Sequence, residues 1–562
     1  MSDASSPGTA ASGPSSVASA APGSSYHPTP DDPYSLSSAT LREPPNSLWS
    51  ALRQIGPGIV LTGSIVGSGE LILTTRFGAQ YGFVFLWLIL LSCVIKVFVQ
   101  LELGRYALSE GKPTLVAVHE LPGWRWGTHW IAWWWFAMML TTILQLGGML
   151  GGVAQAIQLA FPNGELWFAN LVGGKGTTVG SMIMSNPEFP WAVLTAFAAI
   201  ALLLVGGYNV VEKITTILVV SVTAITVFCM LALPATGYPI SGAEIVDGLK
   251  FQLPPAGMAM AFAVFGITGV GASELFYYPY WCLEKGYARF VGPKQLDDEE
   301  WARRARGWMR VMHLDAWVSM LVFTFATVAF YALGATVLHR QGLIPEKSQT
   351  IAVLSEMYVP TFGPWTRMAF LLGAFAVLFK TLYVATAGNS RLTADFFNLI
   401  KLLPLDTAAD RRRVIRQLCM VYPIICLLLY TLLRNPPGMV EIGGFMQGTM
   451  LPLITGAALY LRYYRTDPRI APRGIFDVAL WFTFIVITAG ALWTVQDTVR
   501  KFVATPKTAS TATTPASATP AATVPAATGS TGAASGSPAS GSSAASSPAA
   551  ATTPDAASEK PK

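Results

Sequence analysis

Long apolar stretches follow one another through most of the chain, each near or above the ~20 residues a helix needs to cross a bilayer's hydrocarbon core. Short polar or basic runs separate them. The pattern predicts eleven membrane-spanning helices, at 54–76, 83–107, 129–161, 190–206, 209–235, 256–281, 311–338, 366–389, 414–433, 438–461 and 475–498. The third, fifth and sixth exceed the minimum, so tilt or interfacial ends are expected there. Residues 47–500 thus read as one all-α membrane domain. The flanks, 1–46 and 501–562, are built from Ser, Ala, Pro, Thr and Gly, with few large apolar groups. Such segments cannot offset their ordering entropy by burial and are expected to be disordered tails. The first also lacks the apolar core of a secretory signal peptide.

Two of these helices are interrupted alike. The first carries Gly56-Pro57-Gly58 and then Val66-Gly67-Ser68-Gly69-Glu70-Leu71. The sixth carries Gly266 and Gly269 and then Val270-Gly271-Ala272-Ser273-Glu274-Leu275. Proline and glycine remove or loosen backbone hydrogen bonds. At a break, one half-helix ends in unpaired carbonyls, which attract cations, and the next begins with unpaired N–H groups, which attract anions. Glu70 and Glu274 tip that balance towards cations. A carboxylate at bilayer depth is costly and marks a functional candidate. Interrupted helices at matching places in two halves point to a secondary transporter's binding site. The plainer alternative is that each glutamate caps the half-helix that comes after it.

Five spans separate the two motifs. An odd number turns the second unit upside down, so an inverted repeat of 5+5 helices with an eleventh appended is expected, its two first helices meeting near the midplane. Two acids placed close together would couple their titrations, one holding its proton to higher pH, which suits proton coupling.

Composition sets the class. Hydrophobic residues make up 52% of the chain and charged ones 12%, against about 25% charged in a soluble domain. The net charge of +6 calls for no nucleic-acid partner, because the basic residues sit between spans. Lys285, Arg289, Lys294, Arg303, Arg304, Arg306 and Arg310 come after span six; Arg391, Lys401, Arg411, Arg412, Arg413 and Arg416 come after span eight. Arg462, Arg465, Arg469 and Arg473 come after span ten. With eleven spans these loops share one side, which the positive-inside rule makes cytoplasmic. The expectation is a multi-pass protein of the cytoplasmic (inner) membrane, N-terminus inside and C-terminal tail outside. Trp130, Trp133, Trp134 and Trp135 fit an interfacial belt. The five cysteines, Cys93, Cys229, Cys282, Cys419 and Cys426, have no paired spacing and read as small buried hydrophobes.

A family resemblance appears at this point. Gly56-Pro57-Gly58 through Gly78-Ala79-Gln80-Tyr81-Gly82, then Leu86-Trp87 and Gln100, resembles the start of the Nramp divalent-metal transporters. Gly207-Tyr208-Asn209-Val210-Val211-Glu212-Lys213 is similar to that family's fifth helix, and Gln447 with Leu451-Pro452 to its tenth. The resemblance covers about residues 48–465 and implies a LeuT-like fold with proton-driven metal entry. The chain departs where the family binds metal. The family's Asp-Pro-Gly-Asn stands at Gly67-Ser68-Gly69-Glu70, and its Met-Pro-His-Asn at Gly271-Ala272-Ser273-Glu274. The resemblance therefore maps the aspartate and asparagine ligands onto Gly67 and Glu70, the methionine onto Gly271 and the histidine onto Ser273. Losing a thioether and gaining a carboxylate shifts preference towards a hard cation such as Mg, Ca or Mn. Glu70 and Glu274 are the expected metal ligands, with Gln447 as a further oxygen donor.

Lys380 lies deep in span eight, the helix that lines a coupling-cation site in LeuT-like folds. Its ammonium could stand in for a cation, pair with an acid or snorkel. His313 is a proton-relay candidate or an interfacial residue. Lys96 and Glu102 in span two read as snorkelled or paired, and Glu441 as solvated. Gln145 is helix glue or a site oxygen. Asp297-Asp298-Glu299-Glu300 reads as a solvated acidic turn. Nothing implies a cofactor beyond the transported divalent cation and protons. The alternative is an organic amine or amino-acid transporter of the amino-acid/polyamine/organocation type, which Gly63-Ser64-Ile65-Val66-Gly67-Ser68-Gly69 is similar to. A scaffold would not require buried acids, and no GxSxG, HExxH or phosphate loop marks an enzyme. The bilayer and a small inorganic cation are the expected partners.

Overall fold

The computed structural model describes residues 36, 40–174, 176–205, 208–294, 299–403, 405 and 407–504. The expected tails, 1–46 and 501–562, fall almost wholly outside the described residues, as do Asp297 and Asp298. The described chain is helical apart from a two-residue antiparallel pairing of Arg125–Trp126 with Thr128–His129.

The first expected span is split into α1 (Pro57–Ile65), a π-helical turn (Ser68–Thr74) and α2 (Thr75–Tyr81). After it come α3 (Leu86–Glu110), α4 (Trp130–Ala160), α5 (Phe189–Val205) and α6 (Tyr208–Ala232). The sixth span is split into α7 (Met258–Ile267) and α8 (Ala272–Lys285). The chain continues with α9 (Glu299–Leu333), α10 (Thr366–Leu399), α11 (Ala408–Leu433), α12 (Pro436–Tyr464) and α13 (Gly474–Ala504). Among the described residues, nine spans are long and apolar enough to cross a membrane, or ten if Thr178–Ser185 and α5, bent 93° to each other, count as one. The fifth expected span, 209–235, is helical but contributes only Val220–Ala235 as a shorter apolar helix. The count of eleven therefore lies partly outside what is described.

Burial sorts centre from rim. The first and sixth spans, Pro57–Tyr81 and Pro255–Lys285, are 82% and 89% buried over their apolar windows, whereas α11 and the last span are 28% buried. Ile424, Leu428 and Leu432 on α11 and Val478, Phe482 and Ile485 on α13 are exposed, as lipid-facing positions should be. Tight contact between helices relies on small residues. At Gly266 of α7 a Cβ would stand 2.1 Å from the Gly444 carbonyl oxygen of α12.

Ends of the half-helices are satisfied by other helices. Pro57 sits in the first turn of α1, and Gly56 has no capping side chain. Asp315 of α9 replaces one, accepting from the N–H groups of Gly56 (3.0 Å) and Gly58 (2.6 Å). In the π-turn the Thr75 hydroxyl donates to the Glu70 carbonyl. In span six the chain leaves α7 through Thr268 and turns at Gly269, whose φ of +67° is open to glycine but strained for most residues. The carbonyls of Phe265 and Thr268 accept from the Lys96 ammonium, at 2.7 and 2.5 Å, and from the Ser92 hydroxyl. Lys96 is fully buried, so it caps a half-helix rather than snorkelling.

Other charges found partners too. Glu102 pairs with Arg105 at 3.0 Å, and Glu441, expected to be solvated, pairs with Arg76 at 2.9 Å. Glu299 and Glu300 open α9 rather than forming a free turn, and Glu300 faces Arg304. Trp130 and Trp134 are exposed as a belt requires, but Trp135 is fully buried against Phe276 and Phe396. All five cysteines are buried and free.

Candidate functional site

The two breaks enclose a cavity of about 20 Å³. That is room for a single water-sized body. Five spans contribute to its wall. Ser64 comes from α1, Gly69 from the π-turn, Thr142, Gln145 and Met149 from α4, and Ser273, Glu274 and Tyr277 from α8. Thr381 of α10 and Gln447 of α12 complete the polar lining. The start of α8 supplies the order. Its Ser273 N–H donates to Gln447 Oε1 (3.1 Å), and Gln447 Nε2 donates to Gln145 Oε1 (2.8 Å). Tyr277, one turn on, donates to Glu274 Oε1 at 3.2 Å. The hydroxyls of Thr142 and Ser273 are 3.3 Å apart.

The structure treats the two glutamates differently. Glu274 faces the cavity. Glu70, fully buried, is not among the lining residues. Its Oε1 accepts from the Gly269 N–H at 3.1 Å and from Thr327 Oγ1 of α9 at 3.3 Å, while Oε2 has no hydrogen-bond partner among the described residues. Of the two expected metal ligands only Glu274 lines the cavity: Glu70 instead clasps the span-six turn and α9.

The glycines carry the departures from the family pattern. A Cβ at Gly271 would lie 2.5 Å from Glu274 Oε2 and 2.9 Å from Gln447 Oε1, so the carboxylate and amide fill the volume a side chain would need. A Cβ at Gly67 would lie 2.1 Å from Thr381 Oγ1. The hydroxyl of α10 thus fills the space a side chain at position 67 would need. Lys380 reaches the same helix one turn earlier, where a Cβ at Gly63 would stand 2.5 Å from its Nζ. His313, by contrast, packs against Phe476 with ring centroids 6.4 Å apart and does not line the cavity.

Sequence reasoning singled out Glu274, Ser273, Gln145 and Gln447 and missed Ser64, Thr142, Tyr277, Thr381 and Met149. The missed signal was helical spacing. Thr142 lies one turn before Gln145, Tyr277 one turn after Glu274, and Thr381 beside Lys380. Among the described residues no three or more of His, Cys, Asp and Glu gather as a metal-binding group. Any cation held here would rest on one carboxylate and neutral oxygens.

Residues 58–497 match the family described as natural resistance-associated macrophage protein-like, Nramp. An uncharacterised protein of Pasteurella multocida, PM0681, is 23% identical over 360 residues, covering 63% of this chain and 73% of its own length. The divalent metal cation transporter MntH of Mesorhizobium japonicum is 22% identical over 476 residues, covering 80% and 90%. The solved manganese transporter of Eremococcus coleocola superposes with a TM-score of 0.52 at 14% identity, covering 85% of this chain and 93% of that one. The fold is thus the all-α, LeuT-like one. The matched span takes in both broken helices and every residue lining the cavity between them, and the chain belongs to the Nramp family.

Proposed function

We propose that the chain is a secondary active transporter that moves a divalent metal cation through the cavity between its two helix breaks, coupled to protons and preferring hard cations. It is a transporter by family, not an enzyme. The observation that carries the reading is the donor set. One carboxylate, Glu274, stands with the oxygens of Ser64, Thr142, Gln145, Ser273, Thr381 and Gln447 around a space for one small body. Carboxylate, amide and hydroxyl oxygens suit Mg, Ca and Mn, and the lost thioether at Gly271 removes a soft ligand. The names of a divalent metal cation transporter and a manganese transporter among its relatives support the same substrate class. A space of about 20 Å³ disfavours the alternative of an amine or amino acid, whose several heavy atoms need more room.

Glu70 is the candidate proton carrier, poised between the span-six turn and α9 with one oxygen unpartnered among the described residues. Lys380, against α1 at Gly63, is the candidate built-in cation for coupling, and His313 is a more remote relay. The basic loops and N-terminus are assigned to the cytoplasm and the C-terminal tail to the outside of the inner membrane.

Uptake into proteoliposomes carrying a divalent-sensitive dye and a pH dye tests this. Wild-type protein is expected to import Mg, Ca or Mn with internal acidification. Glu274→Gln should abolish uptake, and Glu70→Gln should abolish the pH signal. Unchanged uptake by Glu274→Gln would sink the cavity assignment. Import of cadmium or iron with indifference to Mg, Ca and Mn would overturn the hard-cation preference.

A further inference from the structure

Away from the central cavity, a second opening of about 450 Å³ lies between the end of α5 and the start of α11. Leu204 forms one wall, and Ala409, Arg412, Arg413, Arg416, Gln417 and Met420 of α11 form the other. Positions 409, 413, 416 and 420 recur at helical spacing and share one face. The preceding arginine shows what the others lack. Arg411 turns inward and is held by buried Asp395 through two hydrogen bonds, at 3.0 and 3.3 Å. Arg412, Arg413 and Arg416 are exposed, and none makes an ion pair with an acid among the described residues.

Three like charges within a turn and a half of helix repel one another, and Arg412 and Arg416 stand at the i,i+4 spacing where that repulsion is felt. An anion between them would relieve it. The opening is also graded along its length. Its three cations fall in the first turns of α11, ahead of the apolar run from Leu418 to Leu433, in which Met420 lies, and Leu204 adds an apolar wall from α5. Cations at headgroup level above an apolar slot fit a molecule with an anionic head and a hydrocarbon tail. A free phosphate would use the first half and leave the second bare. Guanidinium groups are suited to a phosphodiester because their paired N–H groups match its oxygens.

We propose that this opening is a binding site for the phosphate headgroup of an anionic phospholipid from the leaflet that faces the basic loops, with an acyl chain along Leu204 and Met420. The test uses full-length protein in detergent, titrated with short-chain phosphatidylglycerol, phosphatidylcholine or inorganic phosphate and read by binding-induced thermal shift. The expected result is a saturable shift with phosphatidylglycerol alone. The triple variant Arg412→Gln/Arg413→Gln/Arg416→Gln should need roughly a hundredfold more lipid, from the attraction each arginine contributes near a charged lipid. A matched variant on the same side, Arg310→Gln/Arg465→Gln/Arg473→Gln, should respond as wild type. Equal loss in both variants would show diffuse attraction and overturn the site. So would an undiminished response in the first variant, or a shift from inorganic phosphate as large as from the lipid.

Discussion

At the residue scale, the absence of two side chains shapes the space around the cavity. Gly271 and Gly67 stand where the family resemblance implies ligands, and the volumes a side chain would need there are filled by Glu274 with Gln447 and by Thr381. Gly271→Met, which restores the family's thioether, is expected to displace Glu274, cut uptake of hard cations by more than tenfold and lower stability by about 1–3 kcal/mol through overpacking. Uptake assays and thermal melting check both effects; retained Mg, Ca or Mn uptake would show that the volume is spare. Gly67→Asp should unfold or inactivate the protein alone, while Gly67→Asp with Thr381→Gly should recover melting temperature, a coupling that a double-mutant cycle measures. At this scale the sequence was half legible. Polar side chains in apolar surroundings marked Glu274, Ser273, Gln145 and Gln447. The direction of Glu70 was not legible, because it comes directly after the break at Gly67, where the two half-helices share no common helical register.

At the element scale, the half-helices are stable because foreign side chains complete them. Lys96 of α3 holds the carbonyls that end α7, and Asp315 of α9 holds the N–H groups that start α1. Lys96→Met keeps the apolar stem but leaves the Phe265 and Thr268 carbonyls only the Ser92 hydroxyl between them, and Asp315→Ala removes the acceptor of the Gly56 and Gly58 N–H groups. Each is expected to cost about 2–5 kcal/mol, from the penalty of leaving buried backbone groups unpaired. Melting of the purified variants checks this, and a loss under about 0.5 kcal/mol, the scale of an ordinary surface substitution, would refute it. The breaks themselves could be read from Gly and Pro. Their partners could not, since Lys96 in a long apolar run is equally compatible with snorkelling until its neighbours are known.

At the scale of the whole molecule, the all-α architecture could be read from apolar run length, and the paired motifs identified the two central, best-buried spans. Number and orientation were harder, because α5 is 17 residues long and meets its preceding helix at 93°. An odd number of spans places the tails on opposite sides. Introduced cysteines report this cleanly, since the five native ones are buried. An impermeant maleimide on intact cells is expected to label Ser530→Cys and leave Ser16→Cys untouched. Labelling of both or neither would require an even count.

The carboxylate that receives the Gly56 and Gly58 donors lies 259 and 257 residues further along the chain. At ~5–20 residues per second a ribosome takes roughly 13–50 s to cover that interval. Throughout it the start of α1 is without the carboxylate that accepts from its N–H groups. The cap on α1 is therefore made only after the chain as far as α9 has been synthesised.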